Sequence, residues 1–155
     1  MVQLQAMDEA GFTAFMSWST ADYARASISS RRWCEAEAMT KAQDQVNALL
    51  PQGLATTNQY FFDVLDETRD KVGALWLGLN PGATSAQMWI YQVVIEEAYR
   101  GKGLGRATMQ AAEVEARRLG ATGLGLNAFA DNHIAQTLYR SLGFQPTAIQ
   151  MIKSL

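Results

Sequence analysis

The sequence predicts an α+β fold with a mixed, mostly antiparallel central sheet and helices on both faces, and three observations carry that prediction. Strand-like runs at 60–65, 72–79 and 88–95 follow one another across short turns, which favours antiparallel hairpins. The last run enters a glycine-rich loop, Arg100-Gly101-Lys102-Gly103-Leu104-Gly105, which opens a helical pattern. Another short strand follows that helix, and a strand reached by a helical crossover lies parallel to its predecessor.

Taken in order, Val2, Leu4 and Ala6 alternate against Gln3 and Gln5 as a half-buried strand would. Asp8 is the expected N-cap of a helix that carries Phe12, Phe15, Met16 and Ser19 at helical spacing and runs to about Ser27. Arg31 and Arg32 fall in a connector and are read as solvated. A second helix, about 35–50, places Ala38, Ala42, Val46, Leu49 and Leu50 on one stripe until Pro51-Gln52-Gly53 stops it. Asp66 to Asp70 makes a charged turn between the first two central strands, and Asn80-Pro81-Gly82 closes the second. Trp76 and Trp89 read as strand-face aromatics. After the loop, a helix of about 106–119 carries Met109, Ala112, Ala116 and Leu119 inward, exposes Glu113, Glu115, Arg117 and Arg118, and ends at Gly120. Leu124, Leu126 and Ala128 alternate on the next strand. Asp131 or Asn132 opens a last helix, with Ala135, Leu138, Tyr139 and Leu142 inside and Gly143-Phe144 closing it. Residues 148–152 are expected to form a final strand.

Composition narrows the function. With 155 residues, 48% apolar and 18% charged, the chain reads as one globular domain with a proper core. Thirteen Lys and Arg against fifteen Asp and Glu give a net charge of −2, so no global basic field directs it to nucleic acid. One cysteine, Cys34, and one histidine, His133, are too few for a zinc cage, so no metal is expected. They also lack a third group that would make them a nucleophile–base pair. The longest apolar run, 72–79, is far short of the ~20 residues of a membrane span. The start of the chain lacks a basic segment and an apolar signal core, which favours a cytoplasmic setting.

The loop at 100–106 is the chemical feature. Strand, glycine turn and helix start together make an anion site, because the first N–H groups of a helix lack intrahelical acceptors and carry the positive end of its dipole. Glycine lets the backbone approach a phosphate, and Arg100, Lys102 and Arg106 bring local charge. A pyrophosphate is the expected ligand. A dinucleotide fingerprint fails on spacing, since Arg106 and Thr108 stand where glycine or alanine is needed. A P-loop fails as well, because no Gly-Lys-Ser/Thr ends the turn.

At these residues the chain resembles the GCN5-related N-acetyltransferase (GNAT) superfamily, whose signature is Gln/Arg-x-x-Gly-x-Gly/Ala between a strand and a helix. Arg100, Gly103 and Gly105 fill those places. Asn132-x-x-Ala135-x-x-Leu138-Tyr139-x-x-x-Gly143-Phe144 is similar to the family's other block. The two blocks span roughly 88–152, and the first 57 residues match only as a strand followed by two helices. The resemblance implies a sheet splayed between two parallel strands and acetyl-CoA as acyl donor. It implies that the backbone of Val93, Val94 and Ile95 pairs with the pantetheine arm like an added strand. The amides of Gly101, Lys102, Gly103, Leu104, Gly105 and Arg106 would hold the pyrophosphate, beside Arg100. Asn132 would bond the cofactor at the splay, and Tyr139 would protonate the departing thiolate.

An N–H at a strand bulge, with Val94 as the candidate, would steady the developing oxyanion. The implied reaction is acetyl transfer to the amine of a small molecule or peptide, with a homodimer left open. No carboxylate lies between Met88 and Ile95, and Asn127 stands where some relatives carry a glutamate, so no general base is assigned. That gap leaves a non-catalytic acyl-CoA sensor as the alternative. Tyr139 could be only a core aromatic and Asn132 only an N-cap, and His133 is expected to be exposed. Tyr23, Trp33 and Tyr91 could line an acceptor pocket or simply pack.

Overall fold

The computed structural model describes residues 1–79, 82 and 86–155, so Asn80 and Pro81 of the expected turn lie outside the described residues. One five-stranded sheet runs in the order β1 (Gln3–Ala6), β2 (Gln59–Leu65), β3 (Lys71–Leu79), β4 (Gln87–Ile95) and β5 (Gly123–Leu126). The first three pairings are antiparallel and β4–β5 is parallel, the mixed sheet of the predicted α+β class. The described helices are α1 (Glu9–Ser29), α2 (Glu35–Leu49), α3 (Leu104–Arg118) and α4 (His133–Ser141). The chain divides into two compact units, Met1–Ser17 with Leu49–Asn127 and Trp18–Ala48 with Ala128–Leu155.

The first unit holds the sheet. In β3, Val72 to Gly78 are buried without alternation, the pattern of a strand covered on both faces. α3 packs on β3, β4 and β1 through Thr108, Met109, Ala112 and Ala116, which recur at helical spacing. Its last turn carries Arg117 and Arg118, which pair with Glu113 and Glu115 at 3.4 and 2.6 Å and complement the helix dipole. Glu113 and Glu115 are therefore half-buried under their partners, where the sequence reading had them exposed.

An aromatic row fixes the middle of the sheet. Phe12 and Phe15 meet Phe61 edge-on at 4.8 and 5.9 Å, Phe61 stacks on Trp76 at 5.0 Å, and Trp76 stacks on Tyr91 at 4.8 Å. The indole N–H of buried Trp76 donates to Gln59 Oε1 at 2.7 Å, so no polar atom of that ring is stranded. Trp89 lies across Gly125 of β5, where an added Cβ would come within 2.4 Å of the ring. As expected, Asp8 caps α1, accepting from the Gly11 N–H at 2.7 Å.

The second unit is helical. Ala24, Ala38 and Ala42 form its buried centre, with Tyr23, Ile28 and Trp33 packed around them. α4 ends in a hydrogen-bonded Schellman turn. The Gly143 N–H donates to Arg140 O and the Phe144 N–H to Tyr139 O, both at 3.0 Å, and Gly143 takes φ +91°. The final strand expected at 148–152 is absent. Ile149, Met151 and Ile152 are 78, 88 and 73% exposed on irregular chain. Alternating side chains specify a face, but a strand also needs an edge to accept its N–H and C=O groups, and no described strand pairs with this segment. For the same reason Ala128 falls outside β5, whose ladder with β4 ends at Ile90↔Leu126.

Candidate functional site

β4 supplies the first half of the site. Its register against β3 slips between Trp76↔Gln92 and Leu77↔Ile90, which leaves Tyr91 as an extra residue, a β-bulge. The bulge shifts the in–out alternation of all that follows. The Glu96 N–H donates to Val72 O at 2.9 Å, and counting back by two turns the peptide groups of Val94 toward Ala74 in β3. Those of Val93 and Ile95 consequently face the other side. There β5 has already stopped pairing, so β4 presents an open edge from Tyr91 onward. The place expected for the bulge was Val94; it lies three residues earlier, and Val93 rather than Val94 is the first edge-facing residue beyond it.

The loop follows directly. Arg100 turns back so that its Nε donates to Ile95 O at 2.9 Å, which closes the end of the open edge. Lys102 Nζ donates to Ala98 O at 3.3 Å and lies 5.4 Å from the centre of the Tyr99 ring. Gly101 and Gly103 take φ +77° and +79°, backbone that favours glycine, and an added Cβ on either would meet nothing within 4 Å. Close packing therefore does not explain these two glycines. α3 begins at Leu104, two residues before the expected Arg106, with Gly103 as an N-cap that offers no side chain. Among the described residues, the N–H groups of Gly101, Lys102, Gly103, Leu104 and Gly105 have no acceptor. Five successive donors without a described acceptor thus lie at the positive end of a helix dipole. Val93, Val94, Ile95 and the run from Arg100 to Arg106 are thus brought together in the first unit.

Asn132 and Tyr139 lie in the second unit, seven residues apart, the first at the N-cap of α4 and the second within it. As the N-cap, Asn132 accepts at Oδ1 from the Ala135 N–H at 3.1 Å, while its amide NH₂ has no partner among the described residues. Tyr139 is half-buried, and Phe144 packs against its ring at 6.0 Å as the apolar contact of the Schellman turn. Its hydroxyl has no partner among the described residues. Burial pushes the phenol above its ordinary range, so the group keeps its proton and can act as a donor. His133 is exposed on the first turn, as expected.

The sequence reading misplaced one feature and missed another. The bulge carries no residue signature of its own; its trace is Gly78 facing an aromatic, since a Cβ there would touch Tyr91 at 2.7 Å. The second is the corner between α1 and α2, where Arg32 is not merely solvated. Its Nη1 donates to the Tyr23 hydroxyl at 2.9 Å, and its guanidinium lies 5.2 Å from the centre of the Trp33 ring. Among the described residues no cluster of His, Cys, Asp and Glu could hold a metal ion, and no helix is long and apolar enough to cross a membrane.

Comparison with known proteins gives a consistent result. The model of the acetyltransferase (GNAT) family matches residues 12–144. The chain is 36% identical to the uncharacterised N-acetyltransferase YdgE of Bacillus subtilis (strain 168), over 98% of this chain and 97% of that one. It is 30% identical to YycN of the same organism, also named an N-acetyltransferase, over 99% of both chains. The crystal structure of YycN matches 100% of this chain and 99% of its own with a TM-score of 0.93. A Pyrococcus furiosus protein described as an acetyl transferase shares the fold at 23% identity, full coverage of both chains and a TM-score of 0.69.

Proposed function

The chain belongs to the acetyltransferase (GNAT) family of acyltransferases, and from that premise we propose that it moves an acetyl group from acetyl-CoA to a primary amine by direct attack in a ternary complex. The family match runs through both units, which we take as one catalytic domain. The observation that carries the reading is the row of N–H groups from Gly101 to Gly105 that have no acceptor among the described residues, beside open space at Gly101 and Gly103. A diphosphate suits it: several anionic oxygens replace the water that otherwise satisfies these donors.

The positions of the residues support the following roles. The peptide groups of Val93 and Ile95 face the open edge, where the Val93 C=O and the Ile95 N–H bind the amides of the pantetheine arm as an added strand, while Val94 belongs to the β3 ladder. Gly101, Lys102, Gly103, Leu104, Gly105 and Arg106 hold the pyrophosphate through the main chain. Arg100 braces the loop against Ile95, and Asn132 offers its amide NH₂ to the cofactor. Acetyl-CoA supplies the acetyl group as an activated thioester. The N–H of Val93, just past the bulge, is the donor placed to steady the carbonyl oxygen as charge develops. Tyr139 holds the proton needed by the leaving sulfur. A thiol's pKa is near ~8.5 and a phenol's near ~10, and burial raises the latter further, so the transfer costs little but runs slightly uphill.

Thermal denaturation with acetyl-CoA and CoA tests the premise. At ~100 times the dissociation constant, either ligand stabilises the fold by about 2.7 kcal/mol, a rise of several degrees for a chain of this size. No shift at millimolar CoA would remove the proposal. A second reading, an acyl-CoA sensor, is favoured by the absence of any carboxylate from 88 to 95 and by Asn127. Release of free thiol that depends on an added amine rejects the sensor; protection by CoA with no thiol release across an amine panel favours it.

A further inference from the structure

The corner between α1 and α2 holds a cationic group that the fold prepares and that pairs with no carboxylate among the described residues. Arg31 sits in left-handed backbone at φ +59°, a conformation that costs a non-glycine residue about 1 kcal/mol or more. The Ser27 carbonyl then accepts from the N–H groups of both Arg32 and Trp33, at 2.8 and 3.2 Å, which fixes the direction of the next two side chains. The Tyr23 hydroxyl donates to Gln45 Oε1 and accepts from Arg32 Nη1, both at 2.9 Å. The guanidinium stands over Trp33 and, at 5.9 Å, over Tyr23. Trp33 in turn meets Tyr23 edge-on at 5.3 Å. Arg32 is exposed, and among the described residues no carboxylate pairs with it. Arg25, by contrast, is paired with Asp22 at 3.3 Å.

The same unit ties this corner to the helix that carries Tyr139. Ser29 Oγ donates to Asp131 Oδ2 at 2.5 Å, one residue before the cap Asn132. Phe129 lies 6.2 Å from Tyr23. The Asp131 carboxylate is engaged by that hydroxyl. A guanidinium has five donors in a planar fork; one is used on Tyr23, and the remainder match a carboxylate. The aromatic rings beside it offer an apolar shelf for the body of a small molecule.

We infer that Arg32, set on the Tyr23–Trp33 shelf, is a specificity-determining residue that selects acceptors bearing a carboxylate, so that the substrate class is amino acids and related amino carboxylates. This rests on the transferase reading for its catalytic meaning, but the binding step can be tested without acetyl-CoA. The probe is a matched set: an amino carboxylate, its neutral amide and its decarboxylated amine. Trp33 fluorescence, with Trp33→Phe as the control that identifies the signal, reports their binding to the full chain.

The expected result is that the carboxylate member binds about 10- to 100-fold more tightly than its amide or amine. Arg32→Gln removes the preference, and Arg32→Lys, which keeps the charge without the fork, restores part of it. In turnover, Arg32→Gln raises KM for the carboxylate acceptor with kcat little changed. Acetyl-CoA protection and the unfolding midpoint stay as in the parent, which a collapse of the corner would not allow. Equal binding of the three probes, a retained preference in Arg32→Gln, or an equal loss for all three probes overturns the inference. Loss of acetyl-CoA protection in the parent chain instead overturns the transferase reading alone, since the titration contains no acetyl-CoA.

Discussion

Tyr139 shows how much one residue depends on its surroundings. Its phenol is half-buried and its proton is held more firmly than in water. Tyr139→Phe keeps the ring and removes only the hydroxyl, so CoA binding should persist while turnover falls by about 100-fold or more, measured as initial rates of thiol release. The sign of the pH effect follows from the raised pKa. The acid form survives past the ordinary phenol range, so kcat/KM rises as the acceptor amine loses its proton and declines only at pH above that range. That alkaline decline should vanish in the phenylalanine variant; a profile unchanged in shape would remove Tyr139 from the acid role. The sequence motif named Tyr139. The lack of a hydroxyl partner among the described residues and the burial that raises the pKa are tertiary facts with no local signature.

At the scale of elements, short-range chemistry was legible and edge pairing was not. Asp8, Asn132, Gly120 and Gly143-Phe144 act through neighbours within a turn, and all sit where the pattern put them. The Schellman turn does more than end α4, because Phe144 is also the packing partner of Tyr139. Phe144→Ala should cost about 1–2 kcal/mol in urea unfolding, below the ~3–5 of a fully buried phenylalanine, and should slow turnover while leaving CoA affinity intact. A loss of CoA affinity of the same size would assign Phe144 a different role. In the sheet, Trp89 covers Gly125, and Gly125→Ala forces a Cβ to within 2.4 Å of the indole unless the ring moves. An expected loss of about 1–3 kcal/mol checks whether the ring is held there; a neutral variant would mean that it swings freely aside. The bulge at Tyr91 stands apart from both. It arises from how β4 meets β3, and it decides which peptide groups reach the open edge.

Across the whole molecule, the donors just past Arg100 and the uncovered tail behave oppositely. Hydrogen exchange should separate them. Adding CoA is expected to slow the amides of Val93, Ile95 and Gly101 to Gly105, while residues 145–155 exchange rapidly with or without it. Slowing confined to other regions would move the ligand site. Slow exchange in the tail alone would show that it has found a partner, as its exposed Ile149, Met151 and Ile152 would permit.

The sequence by itself determined the order of elements as far as α4, the antiparallel and parallel pairings and the glycine turn, which depend on side-chain period or on contacts within a few residues. The family followed from the resemblance of its two motifs. Only the tertiary structure decided that Val93 and Ile95, not Val94, face the open edge, that residues 148–152 remain unpaired, and that Arg32 is held against Tyr23 and Trp33. Those outcomes depend on which distant backbone and side-chain groups satisfy one another, and a linear pattern of apolar and polar residues does not encode that choice.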